Sequence, residues 1–199
     1  IQDRMGRFVE NVDSIRAPRP GEQLYTSIDL RIQYLAYREL KSAIREFQAK
    51  SGSVVVVDVK TGEVLAMVNQ PSFNPNDRAQ FDVARYRNRA ATDIFEPGSS
   101  IKPFIVAAGL QSGKFRASSV VDTNPGFVKV GIKVIEDKHN LGAIDLATIL
   151  AKSSNVGMTH IALSIDRSLI WNTLTALGFD TVTATGFPGE SAGLLSHYS

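Results

Sequence analysis

The sequence predicts an α/β protein in the broad sense: an antiparallel sheet between helical layers, with a mostly helical subdomain beside it. Three observations carry this. A valine run at 54–57 and a second apolar run at 64–68 flank Lys60-Thr61-Gly62-Glu63, the pattern of a β-hairpin. Ahead of it, Leu30, Ile32, Leu35, Ala36, Leu40, Ala43, Ile44 and Phe47 recur mainly at three- and four-residue steps, one apolar face of a helix. After it, helical stretches at 100–112, 146–152, 155–165 and 168–177 dominate the chain.

Each element has a local reason. Residues 1–25 are polar and irregular, and Arg16-Ala17-Pro18-Arg19-Pro20-Gly21 reads as a linker or boundary. The division that follows is 1–24 as linker and 25–199 as one domain. Tyr25 to Ile28 suits a short extended piece, and Asp29 suits the N-cap of a helix over 30–48. In the hairpin, Gly62 supplies a positive φ for the turn, and four consecutive valines predict burial on both faces of the strand. The stretch 69–96 is loop-rich, and its Arg78, Arg85, Arg87 and Arg89 fit a solvated or ion-paired surface. Gly113 suits the end of the helix over 100–112. Residues 120–134 are extended, with a Pro125-Gly126 turn. Asp145 caps the helix over 146–152, Gly178 stops the one over 168–177, and the tail from Asp180 is loop.

Composition narrows the function. With 22 Lys+Arg against 20 Asp+Glu, the net charge of +2 lacks the basic stripe of a nucleic-acid binder, so no nucleic-acid partner is expected. Hydrophobic residues at 43% allow a substantial core. The longest apolar run, 104–110, is too short to span a bilayer, and no signal peptide opens the chain. Its first residue, Ile1, reads as an excised piece of a longer chain. Cysteine is absent, and His139, His160 and His197 show no metal-ligand spacing, so neither metal nor other cofactor is expected. Phosphate-loop and dinucleotide glycine motifs are missing as well.

The chemistry concentrates in Glu96-Pro97-Gly98-Ser99-Ser100-Ile101-Lys102-Pro103. Ser99 and Lys102 stand three apart, so a helix places amine and hydroxyl on one face. Pro103 is tolerated only near a helix start, which puts Ser99 at the positive end. A serine hydroxyl is a weak nucleophile until a base takes its proton, and lysine serves once its pKa is lowered. Taken alone, the tetrapeptide is also what a capping serine and a solvated lysine look like. Lys152-Ser153-Ser154-Asn155 adds a Ser-x-Asn triplet, with Ser153 54 residues after Ser99. The pair of motifs matches serine acyl-transferases, penicillin-binding proteins and class A β-lactamases among them. A Ser–His–Asp triad on Ser99 stays open, although Lys102 already fills the base role.

Longer stretches carry a closer resemblance. They are Gly52-Ser53-Val54-Val55-Val56-Val57-Asp58-Val59-Lys60-Thr61-Gly62-Glu63, Asn69-Gln70-Pro71, Arg87-Asn88-Arg89-Ala90, Phe95-Glu96-Pro97-Gly98-Ser99, Lys152-Ser153-Ser154-Asn155-Val156-Gly157 and Gly186-Phe187-Pro188-Gly189-Glu190. Over roughly 20–199 the chain resembles the transpeptidase domain of class B penicillin-binding proteins, most of all the division-specific enzymes of Gram-negative bacteria. The resemblance implies a penicillin-binding-protein/serine β-lactamase-like fold and a peptidoglycan D,D-transpeptidase. Ser99 would be the acylated nucleophile and Lys102 its general base. Ser153 would relay a proton to the leaving amine, and Asn155 would hydrogen-bond the substrate's peptide backbone. The backbone N–H of Ser99 would give one oxyanion donor. The donor would be a stem peptide ending in D-Ala-D-Ala, which β-lactam antibiotics imitate. By the same resemblance, a lipid-linked glycan polymerase and other divisome proteins would be partners. Residues 1–24 would end a non-catalytic module, and an inner-membrane anchor outside this chain would hold the domain in the periplasm.

Two departures from the family pattern stand out. Ser100 follows the nucleophile where the family more often has Thr. The family's third motif, Lys-[Ser/Thr]-Gly on a later strand, does not follow Asn155; Lys60-Thr61-Gly62 precedes the nucleophile and reads as a turn. The second oxyanion donor and the carboxylate clamp are therefore expected outside these 199 residues, and the fragment alone is expected to be inactive. The competing readings are a serine β-lactamase, a non-catalytic β-lactam sensor and, within the family, an elongation-specific transpeptidase. Against the β-lactamase, Glu190 precedes Ser191-Ala192-Gly193-Leu194 and lacks the Asn of a Glu-x-x-x-Asn deacylating site.

Overall fold

Asp29 starts the first helix as its sequence predicts. Its Oδ1 accepts the N–H groups of Arg31 and Ile32 at 2.8 and 3.2 Å, satisfying donors that the helix cannot. The structure is a computed structural model, described for residues 3–7, 20–77 and 82–198. The predicted boundary at 16–19 and Arg78 lie outside the described residues. Helix α1 spans Leu30–Glu46, and strands β1 (Gly52–Val57) and β2 (Val64–Gln70) pair antiparallel behind it. At the turn, the Asp58 carboxylate accepts the N–H groups of Lys60 and Thr61, and Gly62 takes φ +77°. Lys60-Thr61-Gly62 thus serves as a turn, as its sequence position implies.

Helix α1 packs against both strands and also closes one sheet edge. The Gln33 side chain donates to the Met67 carbonyl at 2.9 Å and accepts the Met67 N–H at 2.8 Å, much as a neighbouring strand would. The 25–28 piece forms no regular strand, yet it lies along the same edge: Ser27 Oγ donates to the Val64 carbonyl and the Asp29 N–H to that of Leu65.

The prediction that β1 is buried on both faces is corrected. Its exposure alternates along the strand, and Val55 and Val57 remain 45% and 46% exposed. Side chains alternate across a strand, and α1 covers only one of the two faces.

Two single-turn helices, α2 (Val83–Tyr86) and α3 (Arg89–Thr92), interrupt the predicted loop after β2. Asp82 pairs with Arg85 at 3.2 Å, and Asp93 pairs with Arg87 and Arg89 at 2.6 and 3.1 Å, so these arginines are ion-paired. A 3-10 turn, Gly98–Ile101, then leads into α4 (Lys102–Gln111), with Pro103 in its first turn. The predicted extended stretch resolves into three strands. They are β3 (Val120–Asp122), β4 (Phe127–Val130) and β5 (Lys133–Glu136); β4 pairs with β5, and β3 pairs with β6 (Ala143–Asp145). Asp145 caps α5 (Leu146–Lys152) through the Thr148 N–H, and α6 (Asn155–Ser164) and α7 (Arg167–Ala176) follow.

The main hydrophobic cluster lies in this second half, while Ala66 and Val68 of β2 are buried in the hairpin. Ile105 and Val106 of α4 meet Val121, Leu146, Ile149, Met158 and Ile161, with Phe115, Ile144 and Ile170 packed around them. Gly157 lets α5 and α6 approach closely: a Cβ there would stand 2.8 and 2.9 Å from Ile149 side-chain atoms. Among the described residues, no helix is long and apolar enough to cross a membrane.

Candidate active site

Three segments meet at Lys102. The 3-10 turn presents Ser99 at the mouth of α4, and Lys102 follows one turn later on the same side. Across from them, α5 ends at Ser153, whose backbone is left-handed at φ 54°, ψ 42°. That conformation reverses the chain between α5 and α6 and brings the Ser153 carbonyl and hydroxyl toward the same point. Left-handed backbone is unfavourable for a residue with a side chain and persists only where its surroundings hold it.

The geometry is a continuous polar chain. Ser99 Oγ and Ser153 Oγ are 2.9 Å apart, and Ser153 Oγ is 3.0 Å from Lys102 Nζ. Lys102 Nζ also donates to the Ser153 carbonyl at 2.6 Å and to Asn155 Oδ1 at 2.7 Å. Ser99, Lys102, Ser153 and Asn155, singled out from two motifs, thus form one cluster. Lys102 is buried at 7% exposure, while the other three open to solvent. Burial pushes the Lys102 pKa below the ordinary lysine value; the negative charge of Asp137 acts the other way, and burial prevails. A depressed lysine beside an exposed serine can take a proton from it directly or through a bridging hydroxyl.

Two residues of the site escaped the sequence reading. Asp137, just past β5, accepts the Asn155 and Val156 N–H groups through Oδ1 at 2.5 and 3.1 Å and the Ser154 hydroxyl through Oδ2 at 2.5 Å. Ser154 is buried and caps α6 by accepting the Gly157 N–H at 2.8 Å. No local pattern marks Asp137, which lies 18 residues before Asn155. Ser154 is the unassigned middle residue of Ser-x-Asn. A cleft of about 310 Å³ lined by Gln33, Tyr37, Met67, Phe73, Tyr86 and Phe187 includes none of the cluster.

Residues 52–199 match the family described as the penicillin binding protein transpeptidase domain. The chain belongs to the penicillin-binding-protein transpeptidase family. It is 43% identical over 190 residues to the probable peptidoglycan D,D-transpeptidase PbpC of Pseudomonas aeruginosa, covering 96% of this chain and 34% of that protein. With the peptidoglycan D,D-transpeptidase FtsI of Escherichia coli it shares 42% identity over 193 residues, 97% of this chain and 32% of the relative. Among solved structures, the apo transpeptidase domain of Burkholderia pseudomallei penicillin-binding protein 3 superposes with a TM-score of 0.75 at 38% identity. The match covers 89% of this chain and 49% of that one. The chain therefore spans about a third of the length of the curated relatives it matches. The predicted fold and family stand: mixed α/β, with small antiparallel sheets and helices arranged as in penicillin-binding-protein transpeptidase domains.

Proposed function

We propose that this chain carries the acylation centre of a peptidoglycan D,D-transpeptidase. The observation that supports it most is the unbroken contact from Ser99 Oγ through Ser153 Oγ to Lys102 Nζ, with Asn155 on the same amine. Ser99 Oγ attacks the carbonyl of the penultimate D-Ala of a stem peptide. Its proton passes to neutral Lys102 by way of the Ser153 hydroxyl. The C–N bond to the terminal D-Ala then breaks, and the departing amine takes a proton back along the same path. The amine of a neighbouring stem next attacks the Ser99 ester, forming the cross-link and freeing the hydroxyl. The Ser99 N–H, at the positive end of α4, faces the developing oxyanion. Asn155 Nδ2, 3.2 Å from the Glu136 carbonyl, is held for a substrate peptide group.

The similarity to FtsI favours septal over elongation-specific wall synthesis. A periplasmic setting and divisome partners belong to the same reading, as does a third motif in chain beyond residue 199. Residues 1–24 are read as the end of a preceding module and 25–199 as transpeptidase domain. The test is fluorescent-penicillin labelling of the full-length protein with peptide mapping. Label on the Ser99 peptide, absent from Ser99→Ala, is expected; label on Ser100 or Ser153 overturns the assignment.

A further inference from the structure

We infer that Asp137 is a positioning residue of this reaction: its carboxylate, clamped across the start of α6, holds Ser153 and Asn155 against Lys102. The inference rests on the acylation centre proposed above and extends it to a residue outside both motifs. Asp137 makes three contacts within the single stretch 154–156. Its Oδ1 accepts the Asn155 and Val156 N–H groups at 2.5 and 3.1 Å, and its Oδ2 accepts the Ser154 hydroxyl at 2.5 Å. Ser154 is buried and receives the Gly157 N–H at 2.8 Å, so the clamp continues into the helix. The adjoining Glu136 carbonyl accepts Asn155 Nδ2 at 3.2 Å, fixing which amide edge turns to Lys102. Backbone and side chain of Asn155 are thus both held from the end of β5, while its Oδ1 holds the lysine. Ser153, one residue before the clamp, carries the strained backbone that such support must retain.

A carboxylate also fits its place electrostatically. It meets free N–H groups at the positive end of a ten-residue helix. Its charge reaches Lys102, where it favours the ammonium against burial. The charged neighbours on the packed segments, Glu136 and Lys138 beside Asp137 and Lys152 at the end of α5, are exposed to solvent, as is His139. Asp137 is half-buried and is the charge that acts on Lys102. It therefore has two separable duties: geometric support of Ser153 and Asn155, and a bias on the proton that Lys102 carries.

The experiment measures the penicillin acylation rate of the full-length protein from neutral to alkaline pH. Asp137→Asn keeps the shape of the clamp: its carbonyl accepts the two N–H groups, and its amide donates to Ser154 Oγ. It removes the charge, so Lys102 loses its proton more readily, and the acidic limb of the rate profile should move down by about one pH unit. Ser154→Ala leaves the charge and removes two contacts, the one to Asp137 and the cap on the Gly157 N–H; it should lower the plateau without moving the limb. Asp137→Ala removes both and should lower the plateau by about 10²-fold, the scale of a misplaced reacting group. A profile for Asp137→Asn that superposes on the parent's, or moves up, overturns the inference, as does a plateau for Asp137→Ala within about twofold of the parent. Ser99→Ala separates the two levels: a labelled parent and an unlabelled Ser99→Ala protein uphold the acylation centre whatever Asp137 does. A parent with no label on Ser99 overturns both.

Discussion

The helical half and the hairpin half are packed to different degrees. Around α4, α5 and α6, Ile149 and Ile161 are fully excluded from solvent, and the polar chain from Ser99 to Lys102 is anchored on that core. In the hairpin half, α1 contributes no buried residue, and β1 leaves Val55 and Val57 half in water. A catalytic group must be held to within fractions of an ångström, which requires a packed support. The contrast sets the Ser99–Lys102 cluster on the more tightly packed of the two halves.

Substituting Lys102 breaks the more tightly packed half most severely. Lys102→Arg keeps a cation in place but stays protonated at any workable pH, so penicillin acylation should fall by about 10³-fold, nearly as far as in Lys102→Ala. In the parent, the rate should rise with pH through a pKa below the ordinary lysine value, because burial disfavours the ammonium and only the neutral amine accepts a proton. An arginine variant within about tenfold of the parent would remove the general-base role.

Next in size is the effect of the proposed third motif. Labelling of residues 1–199 alone should lag the same chain extended through the third motif by about 10²–10³-fold, the loss of one oxyanion donor. Equal rates would mean that residues 1–199 suffice for acylation.

Stability should divide along the same line. Ile149→Ala is expected to cost about 2–5 kcal/mol by denaturant unfolding, and Val55→Ala less than about 1 kcal/mol. Equal costs in the 199-residue chain would show that the open face of β1 is already covered. A higher cost for Val55→Ala in the full-length protein would reveal the segment that covers it.

The smallest expected effect lies in the tail. The Thr183 hydroxyl and N–H, then the Thr185 hydroxyl, bind the Glu190 carboxylate and hold its pKa below the usual glutamate value. A carboxylate lowered in this way stabilises the fold above its ordinary pKa, and the benefit is lost as pH falls through the lowered value. Glu190→Gln should therefore lower the thermal midpoint slightly at neutral pH and match the parent in acid. A constant gap at every pH would assign the effect to packing.

The sequence made some of this legible and hid the rest for identifiable reasons. Asp29, Asp145 and Gly62 act locally, and their elements appear where local chemistry puts them. Ser99, Lys102, Ser153 and Asn155 were readable because each motif keeps its residues within one turn or one reversal of the chain. Asp137 was not, because its partners are reached only once β5 packs against α6. The single-turn helices α2 and α3 are too short for a periodic pattern. Burial of the valine run was overread because composition cannot tell which face has a neighbour in the same stretch of chain.

The left-handed backbone of Ser153 has a consequence for evolutionary latitude. Both its carbonyl and its hydroxyl contact the same amine, so the position demands a hydroxyl and a left-handed chain at once. Glycine accepts the backbone but has no hydroxyl. Threonine has the hydroxyl but is β-branched and resists positive φ, and asparagine tolerates the turn without offering an O–H. Substitution is therefore nearly closed at residue 153 and is steered toward the supports around it.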